Sequence, residues 1–214
     1  MTTSHCCAVD REFDPKIARR ELKNYRKRGP ASPTKELLDL VTPRLPAEAT
    51  LLDIGGGVGT IHHELLDRGA KSAVQVDASA AYLAASEDET KRRSHQDRVA
   101  FRHADFRAVA SDIAPADVVT LDRVVCCDPD YESLLGLAAA RARTALAFSY
   151  PRARWASRVF VATINAWRRL TGAAFRAYIH PPEAMAAVLE RSGLKRVAAT
   201  MRFIWAVEVF VRAR

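Results

Sequence analysis

Three glycines at alternate positions follow an acidic residue in Leu51-Leu52-Asp53-Ile54-Gly55-Gly56-Gly57-Val58-Gly59-Thr60. Glycine at such a turn permits positive φ and lets a ligand approach the backbone closely. The apolar run before it reads as a buried strand, and Ile61 to Gly69 reads as an amphipathic helix stopped by a glycine. The helix start then offers unpaired N–H groups to the ligand. Counted from Gly55, a dinucleotide turn of the G-x-G-x-x-G kind needs glycine where this chain has Thr60, and no Gly-Lys-Ser/Thr closes a phosphate loop. A second acid, Asp77, ends the β-rich run Ala73-Val74-Gln75-Val76 eighteen residues beyond Gly59. In a doubly wound sheet a carboxylate at the tip of the second strand accepts from two ribose hydroxyls. The third strand, 98–103, leads into Ala104-Asp105-Phe106, where Asp105 taken alone could equally be a helix cap.

The D-x-G-x-G-x-G turn with Asp77 and Asp105 in this order resembles the class I S-adenosylmethionine-dependent methyltransferases. The resemblance implies S-adenosyl-L-methionine as cofactor. Asp53, Gly55, Gly57 and Gly59 would pass its methionine part, and Asp77 with Ala78 its ribose. Asp105 would accept from the adenine amino group, with Ala104 and Phe106 supplying backbone contact and ring packing, and Asp122 would face the methyl group. Beyond the cofactor motifs, three segments resemble the C-terminal half of magnesium-protoporphyrin O-methyltransferases: Val118-Val119-Thr120-Leu121-Asp122, Ala147-Phe148-Ser149-Tyr150-Pro151 before a basic, aromatic-rich insertion, and Ile179-His180-Pro181-Pro182. Those enzymes esterify a propionate of a large flat tetrapyrrole. This chain departs from them at Cys126 and Cys127, where that family tends to carry a histidine and a tyrosine.

Strand and helix alternate from residue 49: 50–54, 60–68, 73–77, 80–93, 98–103, then the strand 116–121, a helix from about 130 to 143 and a strand at 145–149. Alternation of this kind predicts a mostly parallel α/β sheet with helices on both faces, Rossmann-like and doubly wound. A helix at 182–192 stops at Gly193, and the strands 196–201 and about 204–211 lie too close for a crossover helix, so they must pair antiparallel. The expected plan is a seven-stranded methyltransferase domain over 49–214 behind an N-terminal helical cap segment at 1–48. In that cap, Ser32 followed by Pro33 reads as the start of a helix from Thr34 to about Leu45. The insertion 150–181 has Trp155, Val159, Ile164, Trp167 and Leu170 at roughly helical spacing among six arginines, and no acidic residue occurs from Ser133 to Pro182. It leaves from the carboxyl end of a strand, where ligands bind in this fold, and is the natural lid over a methyl acceptor.

The loop after strand four is the place to seek reacting groups. Asp122 reads as a base, as a substrate anchor, or as a strand-end acid held by Arg123. Asp128-Pro129 reads as a helix cap. Cys126 and Cys127 read first as small buried hydrophobes; together with Cys6-Cys7 beside His5 they could instead hold a soft metal or metalloid acceptor. Neither pair has the spacing of a structural zinc site, so no resident metal is expected. Arg123, Trp155 and the cysteine pair are thus the expected substrate contacts. Among the histidines, His62 and His63 read as capping or surface residues, His95 and His103 as surface or strand-end residues, and His180 as a pocket residue at the exit of the lid. Tyr25, on an N-terminal helix able to cover the cofactor, joins Asp122 and His180 as a catalytic candidate.

Composition bounds the partners. A chain of 214 residues, 49% apolar and 27% charged, can bury one core and is not a disordered one. No apolar stretch reaches transmembrane length and no signal-peptide pattern precedes the first charges, so a cytoplasmic protein is expected. A net charge of +8 admits nucleic acid as a rival partner. Against that, no Asn/Asp-Pro-Pro-Tyr/Phe signature of base methylation follows strand four, and a small-molecule acceptor, aromatic or anionic, fits better. The basic lid could also rest on a membrane surface while receiving an apolar substrate. A non-catalytic, cofactor-binding partner subunit is the remaining alternative, and the oligomeric state is open.

Overall fold

The computed structural model describes residues 10–213. Two helices, α1 (Pro15–Arg28) and α2 (Thr34–Val41), precede β1 (Thr50–Ile54). The chain then alternates through α3 (Thr60–Asp67), β2 (Ser72–Asp77), α4 (Ala80–Arg92), β3 (Val99–His103), the single turn α5 (Phe106–Val109) and β4 (Ala116–Leu121). It continues as α6 (Tyr131–Arg141), β5 (Ala142–Pro151), α7 (Trp155–Leu170), α8 (Pro182–Arg191), β6 (Leu194–Met201) and β7 (Trp205–Arg212). The seven strands form one sheet in the order β3-β2-β1-β4-β5-β7-β6. β1 to β5 pair parallel, while β7 runs antiparallel to both β5 and β6. The expected architecture is therefore the observed one, down to the C-terminal hairpin.

Strand order reverses between β1 and β4, which are neighbours in register Leu51↔Val118 and Leu52↔Val119. A crevice opens at such a switch point, outside the carboxyl ends of the strands. Because successive side chains point to opposite faces, Leu51 and Leu52 serve two different cores. Leu52, Ile54, Val119 and Leu121 pack under α6 and α8, while Leu51 and Val118 pack with Leu37, Leu38 and Val41 of α2 and Ile61 and Leu65 of α3. A smaller cluster joins Ala18, Leu22 and Tyr25 of α1 to Val58, Tyr82 and Ala85, so α1 lies against α4 beside the glycine turn.

The differences from expectation lie at element ends. α2 ends at Val41 and passes into a 3₁₀ turn, Thr42–Arg44, because Pro43 cannot donate to the helical ladder. Its N-cap is Pro33, without a side-chain hydrogen bond, so Ser32 does not cap it. β5 is longer than expected, Ala142–Pro151, since β7 pairs with it as far as Pro151↔Trp205. The cap of α6 is Asp130, whose carboxylate accepts from the Ser133 N–H at 3.1 Å; Asp128 instead accepts from the Asp130 N–H at 2.8 Å and shapes the turn before it.

Candidate active site

The glycine turn divides its work. Gly55, Gly57 and Gly59 all have positive φ, at +61°, +56° and +82°. A Cβ on Gly55 would lie 2.5 Å from Val124 Cγ2, and one on Gly59 2.4 Å from Ser86 Oγ and 2.7 Å from His62 Cε1. A Cβ on Gly57 would meet nothing within 4 Å. Gly57 is thus the position that faces open space, whereas Gly59 allows α3 to pack against α4 and does not line the cavity. Asp53 also corrects the expectation: it is buried behind the turn and is not a lining residue. Thr120 Oγ1 donates to its Oδ1 at 2.8 Å and His62 Nδ1 sits 3.0 Å from its Oδ2. Its task is to hold the turn in place from below.

Asp77 stands at the tip of β2 on the cavity wall, accepting from the Gly57 N–H at 2.9 Å and the Ser79 N–H at 2.8 Å. Burial nevertheless dominates and pushes its carboxyl up to about 6. Asp105, at the tip of β3, accepts from the Arg107 N–H at 3.0 Å through Oδ1. Its Oδ2 is buried without a hydrogen-bond partner, 3.6 Å from Arg107 Nη2. Asp105 is therefore both the helix cap and a wall residue with an acceptor still to satisfy, flanked in the lining by Ala104 and Phe106, as Asp77 is by Ala78.

Asp122 follows β4 and faces the same cavity. Ser149 Oγ donates to its Oδ1 at 2.5 Å and Thr34 Oγ1 to its Oδ2 at 2.6 Å, with Arg123 Nε 3.5 Å from Oδ2. Thr34 and Ser149 were not singled out from the sequence. Only the parallel pairing of β4 with β5 and the seating of α2 bring hydroxyls from 88 and 27 residues away onto one carboxylate. Arg123 adopts φ +61°, its N–H donates to Ser149 Oγ at 2.8 Å, and its side chain is about half exposed at 46%.

The cysteine pair lies on the 3₁₀ turn Val125–Cys127, and both thiols line the cavity. Each Sγ is 3.4 Å from the Arg123 carbonyl and they are 3.9 Å apart. Their mutual hydrogen bond holds the Cys126 thiol down against burial and, together with burial, the Cys127 thiol up. Cys6 and Cys7 lie outside the described residues, and among the described residues no group of three or more His, Cys, Asp or Glu side chains could hold a metal ion.

The other catalytic candidates have different employment. His180 is not a lining residue; its Nε2 sits 3.1 Å from the Val125 carbonyl and 2.9 Å from the Asp128 carbonyl. Its ring lies between Tyr131 and Tyr178, at centroid distances of 4.5 and 5.9 Å. With the Tyr178 N–H donating to the Cys126 carbonyl at 2.7 Å, it stitches the exit of the lid to the cysteine turn. Tyr25 borders the cavity, but its hydroxyl donates to Glu64 at 2.8 Å, and burial keeps it well above the usual tyrosine range. His62, His63 and His95 are buried, against the expectation of surface positions. They form a chain beneath α3: His62 on Asp53, His63 Nδ1 3.2 Å from His95 Nδ1, and His95 Nε2 3.0 Å from Asp67. Desolvation holds His63 down at about 2, so it stays neutral. His103 is exposed at its strand end, as expected.

Asp77, Asp105, Asp122 and the cysteine pair line one cavity of about 1100 Å³. Its inner end carries Gly57, Asp77 and Asp105 at the tips of β1 to β3. The same lining includes Arg28, Arg123, Arg154 and Arg168 and the rings of Phe13, Trp155 and Phe175, with Trp155 and Arg168 contributed by α7. Arg168 pairs with Glu12 and lies over the Phe175 ring at 4.8 Å, which ties α7 to the N-terminal segment. Among the described residues no helix is long and apolar enough to cross a membrane.

Comparison with known families matches residues 22–199 to the methyltransferase domain. The chain belongs to this family and is a class I S-adenosylmethionine-dependent methyltransferase. None of the curated protein sequences compared with it matches. Among solved structures, magnesium protoporphyrin IX methyltransferase from Synechocystis with bound SAH is 18% identical, with a TM-score of 0.72 over 96% of this chain and 98% of that one. An O-methyltransferase family protein from Burkholderia thailandensis is 18% identical, with a TM-score of 0.70 over 94% of this chain and 61% of that one. An O-methyltransferase family 2 protein from Planctomyces limnophilus, in complex with apigenin, is 15% identical, with a TM-score of 0.64 over 93% of this chain and 62% of that one. These likenesses are of fold.

Proposed function

We propose that the inner, acid-lined end of the cavity holds S-adenosylmethionine and that the outer end holds a small aromatic or otherwise flat acid, which is methylated on its carboxylate. The observation that carries this reading is that one cavity is lined both by the strand-tip carboxylates Asp77 and Asp105 and by arginines and aromatic rings on and around α7, Arg154, Trp155, Arg168 and Phe175. At about 1100 Å³ it exceeds the ~300–1,000 Å³ of a typical single-ligand site, room for two molecules side by side. Asp77 accepts from the ribose hydroxyls, the orphaned Asp105 Oδ2 accepts from the adenine amino group, and open space at Gly57 lets the methionine part approach the backbone. The cofactor supplies an electrophilic methyl group on a sulfonium.

The protein's own contribution is geometry and charge. Displacement at a methyl group needs the nucleophile in line, and holding it there supplies much of the rate. Asp122, fixed by two hydroxyls, places negative charge near the junction of the two ends. Arg123, Arg154 and Arg168 orient the acid, and Trp155 covers its flat face. A carboxylate acceptor arrives already deprotonated and needs no general base, which agrees with the employment of Tyr25 and His180 elsewhere. The resemblance to enzymes that esterify a propionate, and the likeness to a protoporphyrin methyltransferase, support this acceptor class.

The test is transfer of labelled methyl from S-adenosylmethionine to a panel of aromatic carboxylic acids, tetrapyrrole propionates included. A base-labile methyl ester is the expected product. Label appearing on RNA, or only on a thiol or metalloid acceptor, would overturn the assignment.

A further inference from the structure

Helix α7 is amphipathic the wrong way round for a covering helix. None of its side chains is buried. Val161, Ile164 and Arg168 are half-buried over the cavity, Trp155 stands 79% exposed at its mouth, and Val159, Trp167 and Leu170 point outward with exposures of 57, 66 and 84%. Among the described residues, the strongly exposed large apolar side chains fall on α7 or on β6 and its turn into β7, where Met201, Phe203 and Ile204 are 60, 82 and 48% exposed. The two regions adjoin: the Arg152 N–H before α7 donates to the Ile204 carbonyl at 2.7 Å. Together they form one apolar face around the mouth of the cavity, which Trp155, Phe160 and Phe203 line.

Exposed apolar surface of this extent needs a cover. The charge beside it chooses which. Arg158 and Arg169 flank the stripe, both exposed, and the sequence holds no acid from Ser133 to Pro182. A second copy would bring arginines against arginines. A helix with tryptophan and leucine on one side and arginines on the other suits the headgroup level of an anionic bilayer, with its apolar face among the acyl chains.

We infer that α7 and the β6–β7 turn dock this protein in the surface of an anionic lipid bilayer, with the mouth of its cavity against the lipid. An apolar acceptor can then enter from the membrane without crossing water. The inference rests on the outward face of α7 and not on the identity of the acceptor.

Full-length protein is mixed with vesicles of phosphatidylcholine alone or with added phosphatidylglycerol, and sedimentation and tryptophan emission are followed. Binding with a blue shift is expected on the anionic vesicles and should weaken with salt, as the screening length falls from ~10 Å at 0.1 M to ~3 Å at 1 M. Trp167→Ser with Leu170→Ser should weaken vesicle binding by about tenfold or more, and Arg158→Glu with Arg169→Glu by a similar factor. None of these four residues lines the cavity, so S-adenosylmethionine affinity in solution should be retained, which reports that the variants are folded. Failure of the wild type to bind anionic vesicles, or binding that neither pair of substitutions weakens, would overturn the inference. A dimer dispersed by Trp167→Ser with Leu170→Ser would assign the face to a second copy, and RNA binding lost on charge reversal would assign it to nucleic acid. Methyl transfer by the wild type in detergent-free solution tests the acceptor reading separately.

Discussion

Asp77 accepts from two backbone N–H groups and, in the proposed function, from the cofactor ribose, and its titration can be followed. Burial holds it at about 6, above the ~3.9 of an unperturbed aspartate. Below that pH it is protonated and loses charge and acceptor capacity, so cofactor affinity should fall by up to about tenfold between pH 7.5 and pH 5. The effect on stability has the opposite sign. Between ~3.9 and about 6 the folded chain keeps a proton that the unfolded chain has lost, so this group's contribution declines as pH rises through that window. Asp77→Asn should weaken S-adenosylmethionine binding at pH 7.5 by ~1–3 kcal/mol and flatten its pH dependence; titration calorimetry at several pH values measures both. The cysteines give a second test at this scale. Both thiols lie 3.4 Å from the Arg123 carbonyl, an arrangement that shapes a turn. Cys126→Ala with Cys127→Ala should therefore cost ~1–2 kcal/mol of stability in denaturant unfolding, while turnover per folded molecule stays within a few-fold. Loss of turnover in a fully folded double variant would revive a soft acceptor.

Elements set which part of the cavity a change affects. α7 and the segment after it supply part of the cavity lining and are anchored by Asn165 with Ala177, Arg168 with Glu12, and Tyr178 and His180 with the cysteine turn. Replacing Trp155 and Arg154 by serine should raise the acceptor KM or abolish transfer while the cofactor Kd changes less than about twofold. Equal loss of both would make α7 ordinary core. His180→Ala removes the ring that holds two carbonyls of the turn between Val125 and Asp128. It should lower kcat through misplacement of that turn, which turnover of the folded variant measures.

At the scale of the whole molecule, stability is unevenly spread. β1, β4 and β5 are covered on both faces, whereas α7 has no buried side chain. Local opening follows buried apolar contact. Amide hydrogen exchange should therefore be slowest in β1, β4 and β5 and fast along the whole of 155–170; protection of α7 equal to that of α3 in the isolated protein would contradict this ordering. In the proposed function the same contrast would let the α7 side of the cavity open to an acceptor while the strand-tip side stays formed.

The sequence by itself determined the sheet and the order of the acids along it. Apolar strands leading to Asp53, Asp77 and Asp105 could be read because a strand's period and a glycine turn are local properties, and the short gap before β7, Arg202 to Ile204, forces antiparallel pairing by chain length alone. Which of those residues face a ligand is not local. Asp53 and Gly59 belong to the same motif as Gly57, yet the neighbours that bury them, Thr120, His62 and Ser86, come from other elements. The three buried histidines look like surface residues in sequence because their partners on α3, α4 and beyond become neighbours only when the helices pack. Thr34 and Ser149 carry no signal at all until α2 and β5 deliver them to Asp122. The stripe on α7 was visible as a helical period, but a period gives the existence of an apolar face and not its direction. Only the tertiary structure gave that direction: α7 sits over the cavity through Val161, Ile164 and Arg168, which leaves Val159, Trp167 and Leu170 of the stripe facing outward.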